Sequence, residues 1–336
     1  MKKLFTVLMA SCLLIGTLAT GCQKKDDAKL TTLTLNEVVH SIFYAPQYVA
    51  MEKGFFEEEG IDLKVDVGYG ADKSMTAVLS GNADVALCGT EAAIYVHNEG
   101  REDVPIVFAQ LTQRAGNFLV GREADPDFTW DKVRGTTIIG GREGGMPEMI
   151  LEYILHQNGL DPKTDVEIIT NLDLSATAGA FTSGTGDYTT EFEPGATTLE
   201  MAGSGYVVAS LGVDSGYVPY TVYMTTQSFL DKKPELAQGF TNAIYKGLLW
   251  CQTHSAEEIA QAIQPQFKET DLETLTNIVS RYLEQDTWIA TPVFEKESLD
   301  LIQDVLEYAG TLNNRVEYEA IINRTFAEKS VSEVEK

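Results

Sequence analysis

The sequence predicts an α/β protein of two lobes built to one plan, each a mixed β-sheet flanked by helices, and three observations carry this. A strand–loop–helix–strand unit spans Leu33 to Val67. A Ser-Gly-x-x-Asp pattern at Ser80–Asp84 recurs about a hundred residues later at Ser183–Asp187, each time between a helix end and a short strand. Beyond Pro234 the strand signal gives way to helical patterning with two capping boxes, Ser255-Ala-Glu-Glu258 and Thr270-Asp-Leu-Glu273.

The first unit opens with the alternation Leu33-Thr-Leu-Asn-Glu-Val-Val39, which reads as a strand. A polar and aromatic loop with Ser41, Phe43 and Tyr44 follows. A helix then starts at Pro46, whose missing N–H costs nothing in a first turn, and stops at Gly54. Gly60 releases the chain into a second strand, Ile61–Val67. Ser41, Phe43 and Tyr44 therefore sit beyond the C-terminal end of the first strand, the end at which open α/β sheets bind ligands.

The aromatic loop, Gly54-Phe-Phe56 and Glu59-Gly60-Ile-Asp-Leu63 together resemble the substrate-binding proteins of ABC importers, in the family that handles thiamine pyrimidine precursors, sulfonates, taurine and nitrate. The resemblance implies a two-lobed periplasmic-binding-protein type II fold with two hinge crossovers, the first within Gln110–Val120 and the second within Gly216–Thr226. On that plan residues 31–115 and 221–327 form one lobe and 116–220 the other, and residues 328–336 are expected to be a disordered tail.

The candidate ligand contacts follow in chain order. Gly68-Tyr69-Gly70-Ala-Asp72-Lys-Ser74 is a glycine-rich loop before a helix at Met75–Leu79, with Tyr69 as an aromatic candidate. Each Ser-Gly-x-x-Asp turn is followed by acids: Glu91 in Cys88-Gly89-Thr90-Glu91, and Glu191 and Glu193 in Glu191-Phe-Glu193-Pro194. The resemblance implies that these two loops face each other across the interlobe cleft, which makes Gly89, Thr90 and the three glutamates candidates. Capping of the following helices is the competing role for the acids. Asn117 near the first crossing and Tyr223 in the second are further candidates. Gly140-Gly141-Arg142-Glu143-Gly144-Gly145-Met146-Pro147 leads into a helix over Pro147–Asn158, and free N–H groups at such a start suit a polar or anionic group. The resemblance makes this the second lobe's binding loop, with Gly141, Arg142, Gly144 and Gly145 as contacts. Trp250, Tyr282 and Trp288 are expected in packing.

The N-terminus has its own logic. Lys2-Lys3, an apolar run from Leu4 to Leu18 and Ala19-Thr20-Gly21-Cys22 read as a secretory signal ending at a lipobox, with Cys22 lipid-modified and residues 22–30 a tether. Loss of residues 1–21 moves the net charge from −25 to −27, leaving 23 basic against 50 acidic residues. So acidic a surface disfavours nucleic acid and anionic lipid as partners. Cys88 and Cys251 have neither metal-ligand nor redox spacing, so no disulfide follows from them. The histidines His40, His97, His156 and His254 are scattered, and no nucleophile-elbow, zinc or phosphate-loop motif occurs, so neither metal nor cofactor is expected.

These features point to binding rather than turnover: a monomeric, lipid-anchored receptor on the extracytoplasmic face, presenting a small molecule to an ABC permease with its ATPase. Acids and aromatic faces in the cleft suit an aminopyrimidine thiamine precursor or a similar nitrogen heterocycle. Arg142 and the glycine loop keep a sulfonate, taurine or nitrate ligand open. A receptor feeding a membrane sensor is a further alternative. A pyrimidine-synthase-like enzyme of the same fold is disfavoured, since the resemblance requires cysteines within Gly216–Tyr223, and none is there.

Overall fold

The computed structural model describes residues 30–334. The predicted leader, the Cys22 anchor and the tether through residue 29 lie outside those described residues.

Ten strands form two five-stranded sheets. The first sheet contains β1 (Thr31–Glu37), β2 (Ile61–Val67), β3 (Val85–Cys88), β4 (Pro105–Thr112) and β10 (Thr221–Thr226), in the order β2-β1-β3-β10-β4. The second contains β5 (Asn117–Gly121), β6 (Thr137–Ile139), β7 (Glu167–Ile169), β8 (Tyr188–Phe192) and β9 (Tyr206–Ser210), in the order β7-β6-β8-β5-β9. In each, three parallel strands meet an antiparallel strand that belongs to a crossing: β10 beside β3 in one sheet, β5 beside β8 in the other. The chain thus leaves the first sheet after Thr112, enters the second at Asn117, and returns between Ser210 and Thr221. This is the predicted mixed α/β fold with two lobes and two crossovers.

The repeated turn has one physical cause in both lobes. Gly81 and Gly184 take positive φ angles of 77° and 99°, which a side chain resists. The aspartate that follows then clasps a neighbouring strand twice. Asp84 donates its N–H to the Thr34 carbonyl at 2.8 Å and accepts the Thr34 N–H on its carboxylate at 2.9 Å. Asp187 does the same to Thr137 at 2.7 and 2.9 Å.

Helices cover both sheets. Those that matter below are α1 (Ala45–Glu52), α2 (Ala71–Leu79), α3 (Glu91–Asn98), α4 (Met146–Gln157), α5 (Gly195–Met201), α6 (Pro234–Thr253), α7 (Ala256–Ile263), α8 (Leu272–Glu284), α9 (Lys296–Ala309) and α10 (Thr325–Val334). Pro46 stands in the first turn of α1, and Gly54 follows its end at φ 76°. α2 begins at Ala71, four residues earlier than the sequence predicts. The Ser255 box on α7 forms in full. The second box does not: Asp271 rather than Thr270 caps α8, accepting the Thr274 N–H at 3.0 Å. A carboxylate one residue downstream does the same work and starts the helix later.

The predicted disorder of residues 328–336 is corrected for all the described ones, since Glu328–Val334 belong to α10. That helix packs on α6, where Gln238 donates to the Ser330 hydroxyl at 3.0 Å and Ser330 donates to Asn242 at 2.6 Å. Buried hydrogen bonds of this kind hold a segment whose composition alone reads as unstructured.

Candidate functional site

The C-terminal ends of β1, β3, β6 and β8 open onto a narrow cleft between the sheets. The first lobe supplies Val38, Tyr44, Gly70, Ala71, Gly89 and Glu91 to its wall. The second supplies Arg142, Gly145, Met146, Pro147, Leu174 and Phe192, and Tyr220 and Thr221 enter from the return crossing. The wall is mostly apolar and aromatic with few polar groups, as small-molecule sites are. A wider groove at the mouth shares Ala71, Glu91, Arg142 and Gly145 with it.

Tyr44 and Gly145 thus face one space from opposite lobes, as do Gly89 and Arg142. Phe43 is a layer deeper. Its ring, fully buried, lies 5.2 to 5.7 Å from those of Tyr44, Phe192, Tyr220 and Tyr282. A Cβ at Gly116, in the first crossing, would overlap that ring, so only glycine lets the crossing pass over it. Tyr282 donates to the Gly116 carbonyl at 2.7 Å and the Trp288 indole donates to the Phe43 carbonyl at 2.9 Å. These aromatics build the hinge core, and Trp250 packs elsewhere, stacked on His254.

The lobes touch. Ser41 donates its hydroxyl to the Glu193 carbonyl at 2.5 Å, and Tyr95 donates to the Gly144 carbonyl at 3.0 Å. Arg142 pairs with Asp72 of the first lobe at 2.8 Å and with Asp173 of its own at 2.5 Å, while Lys73 reaches Asp173 across the cleft at 3.0 Å. The Lys73 ammonium and Arg142 guanidinium hold the Asp173 carboxyl below the usual range.

Glu91 stands apart from these paired charges. It is 1 % exposed, it opens α3, and neither carboxylate oxygen has a hydrogen-bond partner among the described residues. Its carboxylate and the Met146 side chain fill the space that a Cβ at residue 89 would need, which explains Gly89. Burial pushes its pKa up to about 8, and the N–H groups of Glu91 itself and of Met146 pull the other way without reaching hydrogen-bond geometry. The Tyr44 hydroxyl, on the same wall, is also buried without a partner.

Several predicted contacts lie off the wall. Glu193 is buried and committed: Thr197 donates its N–H and hydroxyl, each at 2.9 Å, and Arg281 pairs with it at 2.7 Å. It therefore caps α5, the competing role. Glu191 accepts from the Thr189 hydroxyl at 2.8 Å, with burial pushing its pKa up to about 7. Tyr223 lies inside the first sheet, donating to Gln47 at 3.0 Å and packing on Phe240. Tyr69 is exposed at φ 57°, and the chain turns inward only at Gly70. Gly141, at φ 104°, backs onto Pro147, and Gly144 lines the outer groove. Thr90 is buried beside Glu91 with its hydroxyl unpartnered. Asn117 stands behind Tyr220, which donates to it at 3.4 Å. Among the other acids, Glu37 is buried and bound by His40, Gln47 and Tyr48, each at 2.8 Å, so His40 has a structural role.

Leu174, Tyr220 and Thr221 are wall residues that the motifs do not mark. Leu174 follows the end of β7, where the strand-end rule would have found it.

The NMT1/THI5-like family model matches residues 42–258, which takes in both crossings and most of the wall. The chain belongs to the NMT1/THI5-like family. It is 44 % identical over 309 residues to the "Putative binding protein YtlA" of Bacillus subtilis (strain 168), covering 92 % of each chain. Its fold matches the alkanesulfonate-binding protein SsuA from Xanthomonas axonopodis pv. citri bound to MOPS, with a TM-score of 0.71 at 13 % identity, covering 88 % of this chain and 98 % of that one. It also matches the periplasmic nitrate-binding protein NrtA from Synechocystis PCC 6803, with a TM-score of 0.71 at 16 % identity and coverage of 91 % and 90 %. Membership of the family thus comes with the two-lobed fold of solute-binding proteins.

Proposed function

We propose that this protein is the extracytoplasmic receptor of an ABC importer and captures a small, flat, amine-bearing heterocycle, with an aminopyrimidine as the best fit. On this reading Cys22 anchors it to the membrane by lipid, and the closed monomer is what the permease and its ATPase receive. Contacts made with both lobes exist only when the cleft is shut, so a ligand bridging Glu91 and Tyr44 to the Met146 and Phe192 side favours closure. The assignment is to binding rather than to turnover, since the wall offers no paired nucleophile and base.

One observation carries the choice of ligand: the groups that would hold an oxyanion already face the protein's own carboxylates. Arg142 is paired with Asp72 and Asp173, and the start of α4 at Met146 looks onto the Glu91 carboxyl. What remains is an aromatic and aliphatic slot with two unpartnered polar groups, Glu91 and Tyr44. Flat rings stack on such walls, and their amino groups satisfy such acceptors. The solved sulfonate- and nitrate-binding proteins of this fold favour an anion as the second reading.

A ligand that binds only the folded protein raises its melting temperature by mass action. Mature protein should be screened by thermal shift and calorimetry against aminopyrimidines, taurine, alkylsulfonates and nitrate. Stabilisation by aminopyrimidines supports the reading, and a response to the anions alone replaces it with the second.

A further inference from the structure

We propose that Glu91 is the specificity-determining residue of the cleft and reads an N–C–NH2 edge, donating its carboxyl O–H to a ring nitrogen and accepting the adjacent amino N–H on its other oxygen. The inference rests on the reading of the cleft as a heterocycle site and names the group that selects within it.

The geometry leaves Glu91 little else to do. Both oxygens are buried and unpartnered, although in a folded protein buried polar atoms are nearly always satisfied. The carboxyl packs against the Gly89 backbone beside the Met146 side chain and is almost wholly buried, so it meets a ligand as a fixed edge rather than a swinging arm. It lines both the inner cavity and the outer groove. The titratable groups that act on it are neutral in character: Cys88 on β3 and Tyr220 from the return crossing are buried, and Tyr95 on its own helix is half-buried. Arg142, the basic group on the wall, is held by Asp72 and Asp173. With a pKa of about 8 the group is a carboxylic acid at neutral pH, one donor and one acceptor side by side. The complement of that pair is an acceptor beside a donor in one plane, which is the edge of an aminopyrimidine. A taurine, sulfonate or nitrate offers acceptors on that side and no amino group adjacent to them.

The test compares 4-amino-2-methylpyrimidine with 2-methylpyrimidine, which lacks the amino group, by calorimetry on wild-type, Glu91→Gln and Glu91→Leu proteins. Wild type should prefer the amino compound by about thirtyfold or more, since the truncated probe leaves a buried acceptor unpaired. Glu91→Gln should keep that preference within about threefold, because an amide presents the same donor and acceptor. Glu91→Leu should abolish it while leaving the unliganded protein folded by circular dichroism. A Leu variant that still discriminates overturns the assignment, and so does a Gln variant as impaired as Leu, which would mark an ionised carboxylate facing a cation. The two-probe comparison on wild type stands even if a variant misfolds, and equal binding of both probes there also overturns it. If wild type binds neither pyrimidine and binds taurine instead, the heterocycle reading itself has failed.

Discussion

Replacing Glu91 by Gln should make the unliganded protein more stable, and the gain should grow with pH. Glu91 titrates near pH 8 in the folded protein against 4.5 for an ordinary glutamate. The folded state therefore holds this proton more tightly than the unfolded chain does, and stability from this residue falls wherever the unfolded chain has already ionised. Below about pH 4.5 the effect is absent, and from there to about pH 8 it increases steadily. At pH 7 the gap is about 2.5 pH units, and at 1.36 kcal/mol per unit the unliganded protein gives up about 3 kcal/mol. Gln has the same shape and never ionises, so it removes that cost while leaving the buried, unpartnered polar atoms in place. Urea unfolding at pH 5, 6, 7 and 8 should show wild type and variant converging at the acid end and separating by about 1 kcal/mol per unit above it. Equal slopes for the two proteins would refute the reasoning, and so would a variant less stable than wild type at pH 8. Either result would mean that Glu91 ionises at an ordinary pH and that some partner holds its charge.

Further expectations rest on other residues. Glu193→Ala removes the cap of α5 and the partner of Arg281, and should cost about 1–3 kcal/mol in urea unfolding without weakening ligand binding; a loss of affinity at unchanged stability would return Glu193 to the site. Gly116→Ala sets a methyl group against the buried Phe43 ring and should cost about 1–3 kcal/mol; unchanged unfolding would mean that the crossing yields freely. Cys22→Ser should release the protein from membranes into the medium, as fractionation and immunoblotting would show; a variant that remains membrane-bound argues against the lipid anchor.

The sequence made the plan of the fold readable because its punctuation has local causes. Gly54, Gly81 and Gly184 take backbone angles that side chains resist, Pro46 and Pro234 start helices, and Asp84 and Asp187 clasp strands. The strand-end rule led to Tyr44, and the repeated turn and the glycine-rich helix start, read through the family resemblance, led to Gly89, Glu91, Arg142 and Gly145; all five line the cleft. Depth was not legible. Tyr223 and Tyr220 stand three residues apart in one aromatic run, and only the sheet boundary at Thr221 decides that one faces the cavity and the other Gln47. Glu193 could have been a ligand contact or a cap; Thr197, four residues on, takes it as a cap, while its charge partner Arg281 lies 88 residues away. α10 owes its order to Gln238 and Asn242, which no local pattern at residues 328–334 reveals.

The twin aspartate clasps have a wider consequence. They tie strands together at the end farthest from the cleft, while the loops that line the cleft hang from the opposite end. Durability and selectivity are therefore written in different letters of the same sentence. Substitutions in the loops that line the cleft leave the clasps of Asp84 and Asp187 untouched.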